Sequence, residues 1–290
     1  DLTDIFAIQD EIARAINDAL AIELNLAEGE KSLASASTGN MEAYDRYLEA
    51  KGLIARRLDF LRAIGLLKEA TELDPEFAAG WAAGAQAHSL AVYYLDVDRE
   101  AFRATAESMA QQALEIDPGL SSAHSVLGDV YRDRHEWAKA RQSYLRALAL
   151  NPDDTEANEQ FAQMLWRISY FDEALKYSAR AIELDPLSWV NLTVHAALRF
   201  ATGDRTGGWQ DIQRALKIGG RNQFFPLRHA INIAISNGDV EQAVELMEQL
   251  ADSIQVNTLY PRTKDQLEQI IPLLNSREET LAFLTDSLEK

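Results

Sequence analysis

Cysteine is absent from this 290-residue sequence, which excludes disulfide bonds, thiolate metal sites and a cysteine nucleophile. Only 14 residues are glycine and 7 are proline, too few for a collagen-like or low-complexity chain. No apolar run approaches the length of a membrane span, and no basic and apolar leader opens the chain. Because residue 1 is Asp1 rather than Met, we expect a longer polypeptide to have been cut, or a tag or leader removed.

Positive charge is also scarce. The chain has 28 lysine and arginine residues against 46 aspartate and glutamate residues, a net charge of −18. Nucleic acids and anionic membranes need basic side chains to neutralise them, so this balance argues against both as partners. The exception is residues 199–229, which carry six basic and two acidic residues. This basic segment is suited to docking an acidic partner, or an acidic segment of another copy.

The sequence contains an internal repeat, marked by prolines that are 43, 34 and 34 residues apart: Pro75, Pro118, Pro152 and Pro186. Alanine stands twelve and five residues before each proline: Ala63 and Ala70, Ala106 and Ala113, Ala140 and Ala147, Ala174 and Ala181. Seven residues make two helical turns, so the paired alanines share one helix face that a neighbouring helix can approach closely. Proline then ends each helix, because it lacks an N–H group and clashes with the preceding turn.

The clearest repeat combines Leu127, Gly128, Tyr131, Ala140, Tyr144, Ala147 and Pro152. A 34-residue helix–turn–helix with these small and large residues resembles the tetratricopeptide repeat. The resemblance implies an all-α fold, a right-handed superhelical solenoid of about six helix pairs. The predicted pairs are Ala43–Phe77, Ala78–Leu120, His124–Pro152, Thr155–Ser188, Trp189–Asn222 and Phe224–Ile254. The second pair carries an insertion of about nine residues around Tyr93–Glu100.

The two ends of the chain differ from these repeats. Residues 4–26 predict one long amphipathic helix, because apolar residues recur at helical spacing: Ile5, Ile8, Ile12, Ile16 and Leu20. The small and polar residues that follow are typical of a linker, and residues 258–290 predict a polar helix pair that caps the stack. The predicted organisation is therefore an N-terminal helix and linker over 1–40, repeats over 41–257, and capping helices over 258–290.

The opening residues 1–12 and the segment Ala43–Leu48 resemble a junction in bacterial multidomain signalling proteins. In that family a TolB-like module precedes tetratricopeptide repeats. A class III adenylate or guanylate cyclase, or a winged-helix DNA-binding domain, often lies further upstream. The resemblance implies that this chain is a sensing or scaffolding arm. It favours a cytoplasmic location, or a periplasmic one if a membrane span precedes the segment.

Catalytic and metal-binding patterns are poor. The histidines form no zinc motif, and we expect packing or solvated roles for all of them: His88, His124, His135, His195 and His229. Residues 96–100 with Glu107 imitate a calcium loop, but Ala101 replaces the required glycine, so Asp98 is interpreted as a helix cap. We therefore predict no enzymatic activity, no metal and no cofactor.

The positive hypothesis is a binding groove. In stacked helix pairs the first helix lines the concave side, and its residues that point away from the packed face are candidates for partner binding: Gln86, Tyr93, Tyr94, Asp129, Arg132, Glu159, Gln163, Trp166, Arg167, Thr193, Phe200, Arg228 and Asn232. Trp, Tyr and Arg dominate binding hot spots, which favours a peptide or protein ligand. The alternative is that Trp166 and Phe200 pack between repeats while the others form a solvated face.

Two functions stay open at this point. The first is a non-catalytic module that binds a peptide or protein in the groove. The lysine and asparagine clamp with which some tetratricopeptide domains hold a peptide carboxylate is not reproduced, which argues against a chaperone tail as ligand. The second is a structural role, in which the repeats form a homodimer or position an upstream effector, with residues 5–26 packing against a neighbour.

Overall fold

A computed structural model describes residues 38–57, 59–219, 224–236 and 238–252. These residues form twelve α-helices and no strand. The chain divides into two compact units, Asp1–Asp154 and Thr155–Lys290. The predicted helix at 4–26, most of its linker, the boundary at residue 257 and the capping pair at 258–290 lie outside the described residues.

The described part of the first unit consists of three helical hairpins. Their helices are α1 (Met41–Ala55), α2 (Phe60–Leu73), α3 (Ala78–Ala91), α4 (Arg99–Ile116), α5 (Ser121–Asp133) and α6 (Trp137–Leu150). Each helix contacts the next along the chain, and the first helices α1, α3 and α5 also contact one another in turn. The hairpins therefore nest in sequence order, as the repeat predicts.

The described part of the second unit also consists of three hairpins. Their helices are α7 (Thr155–Arg167), α8 (Phe171–Leu184), α9 (Trp189–Ala201), α10 (Arg205–Gly219), α11 (Phe224–Ser236) and α12 (Val240–Ala251). The first helices α7, α9 and α11 form a row in which α9 contacts both of the others. The fifth and sixth repeats are thus helix pairs as well, although Gly208 and Gly220 stand in the fifth where the earlier repeats have alanine and proline.

The proline and alanine signals act as predicted. The second helices α2, α4, α6 and α8 end at the residues two positions before each proline. The intervening Asp74, Asp117 and Asn151 have an extended backbone. All eight alanines of the repeat pattern are fully buried. A methyl group at these positions lets the neighbouring helix approach. The alanines therefore recur in the sequence at the positions where helices pack against one another.

The insertion in the second hairpin is divided between a loop and a helix. Residues 92–98 connect α3 to α4, and α4 has 18 residues where α2 has 14. Asp98 accepts hydrogen bonds from the backbone N–H groups of Glu100 and Ala101, both at 3.1 Å. The interpretation of Asp98 as a helix cap is confirmed.

One glycine shows how closely the two helices of a hairpin approach. A Cβ atom at Gly128 of α5 would lie 2.7 Å from a ring carbon of Tyr144 on α6. On the opposite side of α5, Val126 and Val130 pack against Ala106 and Ala110 of the preceding helix α4. Helix α5 therefore has one face on its own partner and one on the preceding hairpin.

Candidate partner-binding surface

The first unit buries a charged cluster where the sequence predicts groove-lining residues. Arg132 and Asp129 of α5 are only 2% and 3% exposed. The Arg132 guanidinium lies 3.1 Å from a carboxylate oxygen of Asp129 and 3.3 Å from one of Asp133. The Tyr144 hydroxyl donates to Asp129 at 2.6 Å. The expectation that Asp129 and Arg132 point away from the packed face is therefore wrong, because both are held inside an ion-pair cluster.

The insertion loop supplies the cover of this cluster. The Tyr93 hydroxyl donates to the Asp133 carboxylate at 2.8 Å and accepts from Arg132 at 3.0 Å. Arg103 of α4 adds a second cation 3.1 Å from Asp133. The insertion thus brings the phenol of Tyr93 onto α5 of the third hairpin, and α4 adds the guanidinium of Arg103.

The buried charges of the cluster stabilise one another. Burial by itself lowers the pKa of Arg132, but the nearby Tyr144 and Asp129 outweigh it, so the pKa lies well above its ordinary value. Burial raises the pKa of Asp133, and the positive charge of Arg132 with the Tyr93 hydrogen bond reverses this, so the pKa is lowered. Both groups are therefore charged at neutral pH.

The remaining candidates of the first unit also have intramolecular contacts. Lys51 of α1 donates to the side-chain oxygen of the buried Gln86 at 3.2 Å. The ring of Tyr94 packs on that of Phe60, with centroids 5.1 Å apart. All five candidates in this unit are consequently occupied by neighbours within the unit.

In the second unit, an aromatic contact crosses the row of first helices. The half-buried ring of Trp166 on α7 meets the half-buried ring of His229 on α11, with centroids 5.9 Å apart. Because α9 lies between these helices and contacts both, the two rings come together across α9. Sequence reasoning named Trp166 but missed His229, because a contact between residues this far apart leaves no periodic signal.

Four further candidates reach solvent on α7 and α11. Gln163 is half-buried, and Arg167, Arg228 and Asn232 are exposed. Gln163 donates to the carboxylate of the buried Glu159 at 2.7 Å, which orients the amide. The Arg228 guanidinium lies over the ring of Phe225, 5.6 Å from its centroid. We call Gln163, Trp166, Arg167, Arg228, His229 and Asn232 the row surface.

Two candidates on α9 serve packing instead. Thr193 is buried and its hydroxyl donates to the backbone oxygen of Trp189 at 2.7 Å. Phe200 faces the second helix of its own hairpin, since a Cβ atom at Gly208 of α10 would lie 2.5 Å from the Phe200 ring. The packing alternative therefore describes Phe200, and the glycine at position 208 makes the room for it.

The row surface is cationic within an acidic chain. Helices α9 and α11 contain no aspartate or glutamate, and the two glutamates of α7, Glu156 and the buried Glu159, are not members of the row surface. Arg199 of α9 is not a member either. Arg199 is paired with Asp211 at 3.2 Å and Asp204 at 3.6 Å. Arg167 and Arg228 are the exposed cations of the row. Such a face attracts an anionic ligand more strongly than the net charge of the chain suggests.

A serine, a histidine and an aspartate also come together in this unit. Ser178 Oγ lies 2.8 Å from Nδ1 of His195, and the other ring nitrogen lies 4.0 Å from Asp211. All three are buried, with Ser178 only 1% exposed, so a substrate cannot reach the hydroxyl. Burial lowers the pKa of His195, partly opposed by Asp211. This is a polar bridge among α8, α9 and α10 rather than a nucleophile and its base.

The described residues contain neither a metal-binding cluster nor a membrane-spanning helix. No group of three histidine, aspartate or glutamate side chains in the described ranges could hold a metal ion. None of the helices in those ranges is both long and apolar enough to cross a membrane.

Comparison with known proteins gives a family signal at the third hairpin. A sequence model of the tetratricopeptide repeat matches residues 121–154. Human tetratricopeptide repeat protein 6 is 28% identical over 123 residues, which cover 41% of this chain and 24% of the human protein. The chain thus spans about a quarter of the length of this curated relative.

Solved structures extend the likeness beyond one repeat. PilF of Pseudomonas aeruginosa is 20% identical with a TM-score of 0.52, over 80% of this chain and 99% of its own. PilW, a widely conserved type IV pilus biogenesis factor, is 19% identical with a TM-score of 0.55, over 79% and 99%. These likenesses show the fold, a tetratricopeptide-type solenoid, which confirms the predicted fold class. The fold supports a protein–protein interaction module, and the similar proteins indicate no catalytic family.

Proposed function

We propose that this chain is a non-catalytic module that binds an acidic segment of a partner protein on the row surface. The observation that carries the proposal is the half-buried Trp166 on α7, which contacts the ring of His229 on α11, together with the exposed cations Arg167 on α7 and Arg228 on α11. Tryptophan and arginine supply most of the energy of typical protein interfaces. Exposed cations add charge attraction, which steers the encounter with an anionic partner.

The candidate residues of the first unit are less suited to binding a partner than the row surface. Its candidate side chains already pair with one another: Arg132 with two carboxylates, Tyr93 with Asp133, and Gln86 with Lys51. A ligand there would have to break buried ion pairs before it gained any contact. The row surface offers side chains with solvent access, so binding there has a smaller desolvation cost.

The test begins with a random peptide library displayed on phage and selected on the whole chain. We expect the selected peptides to be acidic and to contain an apolar or aromatic residue. Trp166→Ala should weaken their binding at least about tenfold, equivalent to about 1.4 kcal/mol. Arg167→Glu with Arg228→Glu should weaken binding further and flatten its salt dependence.

Two matched controls separate the row surface from general effects. Tyr170→Ala removes an aromatic side chain that is exposed at the start of α8, outside the row surface. Lys217→Glu makes the same charge change on the second helix α10. Both variants should bind like the wild type. Selection of basic peptides, or equal losses in the controls and in Trp166→Ala, would refute the proposal.

We infer further that the interaction module is an arm of a bacterial signalling protein. This rests on the resemblance of residues 1–12 and 43–48 to the junction that follows a TolB-like module. The gene around the codon for Asp1 tests the inference directly. An encoded TolB-like module with a cyclase or winged-helix domain supports it, and a gene with neither overturns it.

A further inference from the structure

A buried carboxylate on helix α7 contacts one member of the row surface. Glu159 is only 3% exposed, and its Oε1 atom accepts a hydrogen bond from the Gln163 amide at 2.7 Å. The nitrogen of the Gln160 amide lies 3.4 Å from the same oxygen and donates to Glu156 at 3.0 Å. Because a buried polar group that lost its partner would cost free energy, this network holds its side chains in one orientation.

The carboxylate determines which end of the Gln163 amide faces outward. An ionised carboxylate only accepts hydrogen bonds, so the NH2 group of Gln163 turns towards Glu159 and its Oε1 atom turns away. That oxygen accepts no hydrogen bond from the described residues, and it is not one of their buried polar atoms that lack a partner. It therefore reaches solvent on the row surface, one helical turn before Trp166.

We propose that Glu159 is a positioning residue, and that the Gln163 oxygen accepts a hydrogen bond from a main-chain N–H group of the bound acidic segment. Ionised aspartate and glutamate side chains are acceptors only, so the donors that every acidic segment carries are its main-chain N–H groups. The proposal rests on the proposed function, because the segment must bind at the row surface for Gln163 to contact it.

The charges around Gln163 support this arrangement. Arg167 and Arg228 are exposed and attract carboxylates. Gln163 instead presents an oxygen, and the Glu159 carboxylate lies within hydrogen-bond distance of the same amide, so a carboxylate of the partner is repelled there. An acidic segment can therefore place its carboxylates at the arginines and an N–H group at Gln163, and this contrast fixes its register.

The first test is a double-mutant cycle between Gln163 and the main chain of a peptide. The probe is the tightest acidic peptide selected on phage, synthesised as a series in which an ester oxygen replaces each main-chain N–H group in turn. One ester should weaken binding to the wild type about fivefold, the effect of one hydrogen bond. Gln163→Met removes the amide, so the same ester should then make no difference. A series without any such ester, or an equal loss in both proteins, would overturn the proposal.

The second test separates positioning from a general effect on the fold. Glu159→Gln keeps the size of the side chain, but the new amide can donate as well as accept, so Gln163 is no longer held in one orientation. The loss caused by the ester should shrink from about fivefold to less than about twofold. A merely structural role would weaken the parent and ester peptides equally and leave the fivefold loss unchanged, which would overturn the positioning role.

The matched control is Glu156→Gln, the same chemical change on the same helix. Glu156 accepts a hydrogen bond from Gln160, and Gln163 instead donates to Glu159. The control should therefore keep the loss of about fivefold that the ester causes in the wild type.

One comparison distinguishes failure of this proposal from failure of the proposed function. If Trp166→Ala weakens binding of the probe peptide while Gln163→Met leaves every ester effect unchanged, the hydrogen bond is wrong and the row surface still binds. If Trp166→Ala leaves binding unchanged, the peptide binds elsewhere and both proposals are overturned.

Discussion

Replacing Arg132 with alanine tests whether the charged cluster is part of the folded core. The substitution leaves Asp129 with the Tyr144 hydroxyl, and Asp133 with Tyr93 and Arg103, but without their central cation. Removing one member of a buried ion pair costs about 3–5 kcal/mol. Because both carboxylates retain a hydrogen-bond donor, we expect the lower end, about 3 kcal/mol.

The measurement is urea unfolding followed by circular dichroism, with Arg134→Ala as the control. Arg134 also pairs with carboxylates, at 2.7 Å from Glu107, but its side chain is 28% exposed. The control should lose about 0–1 kcal/mol. If Arg132→Ala lost no more free energy of unfolding than Arg134→Ala, the buried cluster would stabilise the fold no more than an exposed ion pair does. Arg132 would then again be a candidate for contact with a ligand.

The pH dependence gives a second reading of the same cluster. The folded-state pKa of Asp133 lies below its ordinary value of 3.8, so the carboxylate stabilises the fold above that pH. This contribution is lost as the pH falls through the folded-state pKa. The difference in stability between the wild type and Arg132→Ala should therefore shrink below about pH 4. A constant difference would contradict the ion-pair explanation.

Three further predictions follow from other contacts. Gly128→Ala should lower the free energy of unfolding in urea by about 1–3 kcal/mol, because its methyl group would meet the Tyr144 ring. The control Gly65→Ala has open space at its Cβ and should raise that free energy by up to about 1 kcal/mol. Equal effects of the two substitutions would contradict the assigned packing. Asp98→Ala should cost about 1 kcal/mol through the lost cap, and no loss would contradict that role. Burial, with Arg228, lowers the pKa of His229 from 6.5 to about 4. Stability should therefore fall by up to about 3 kcal/mol between pH 6.5 and 4, and His229→Gln should remove this fall.

The helical hairpins could be predicted from the sequence because the residues that mark them act within a single helix. Each proline ends a helix whatever surrounds it, and the paired alanines lie about one and about three turns before that end. The glycine at 128 was informative for the same reason, since a missing side chain in mid-helix implies a close neighbour. Fold class and helix order therefore follow from the spacing alone.

The direction of the candidate side chains was harder to predict. Helical geometry places Arg132 and Asp129 on one face of α5, and nothing in that period reveals that Tyr93 from the insertion covers them. The contact between Trp166 and His229 is similar, because it joins helices two hairpins apart across α9. Both depend on tertiary packing, which a local pattern does not contain.

The most direct test of the account is the hydrogen-exchange footprint of a phage-selected acidic peptide on the whole chain. We expect slower exchange in α7 and α11 around Trp166 and His229 when the peptide is bound. Exchange in α5 around Arg132 should not change. Protection of α5, or of the second helices alone, with no change in α7 and α11 would show that the row surface is not where this protein binds its partner.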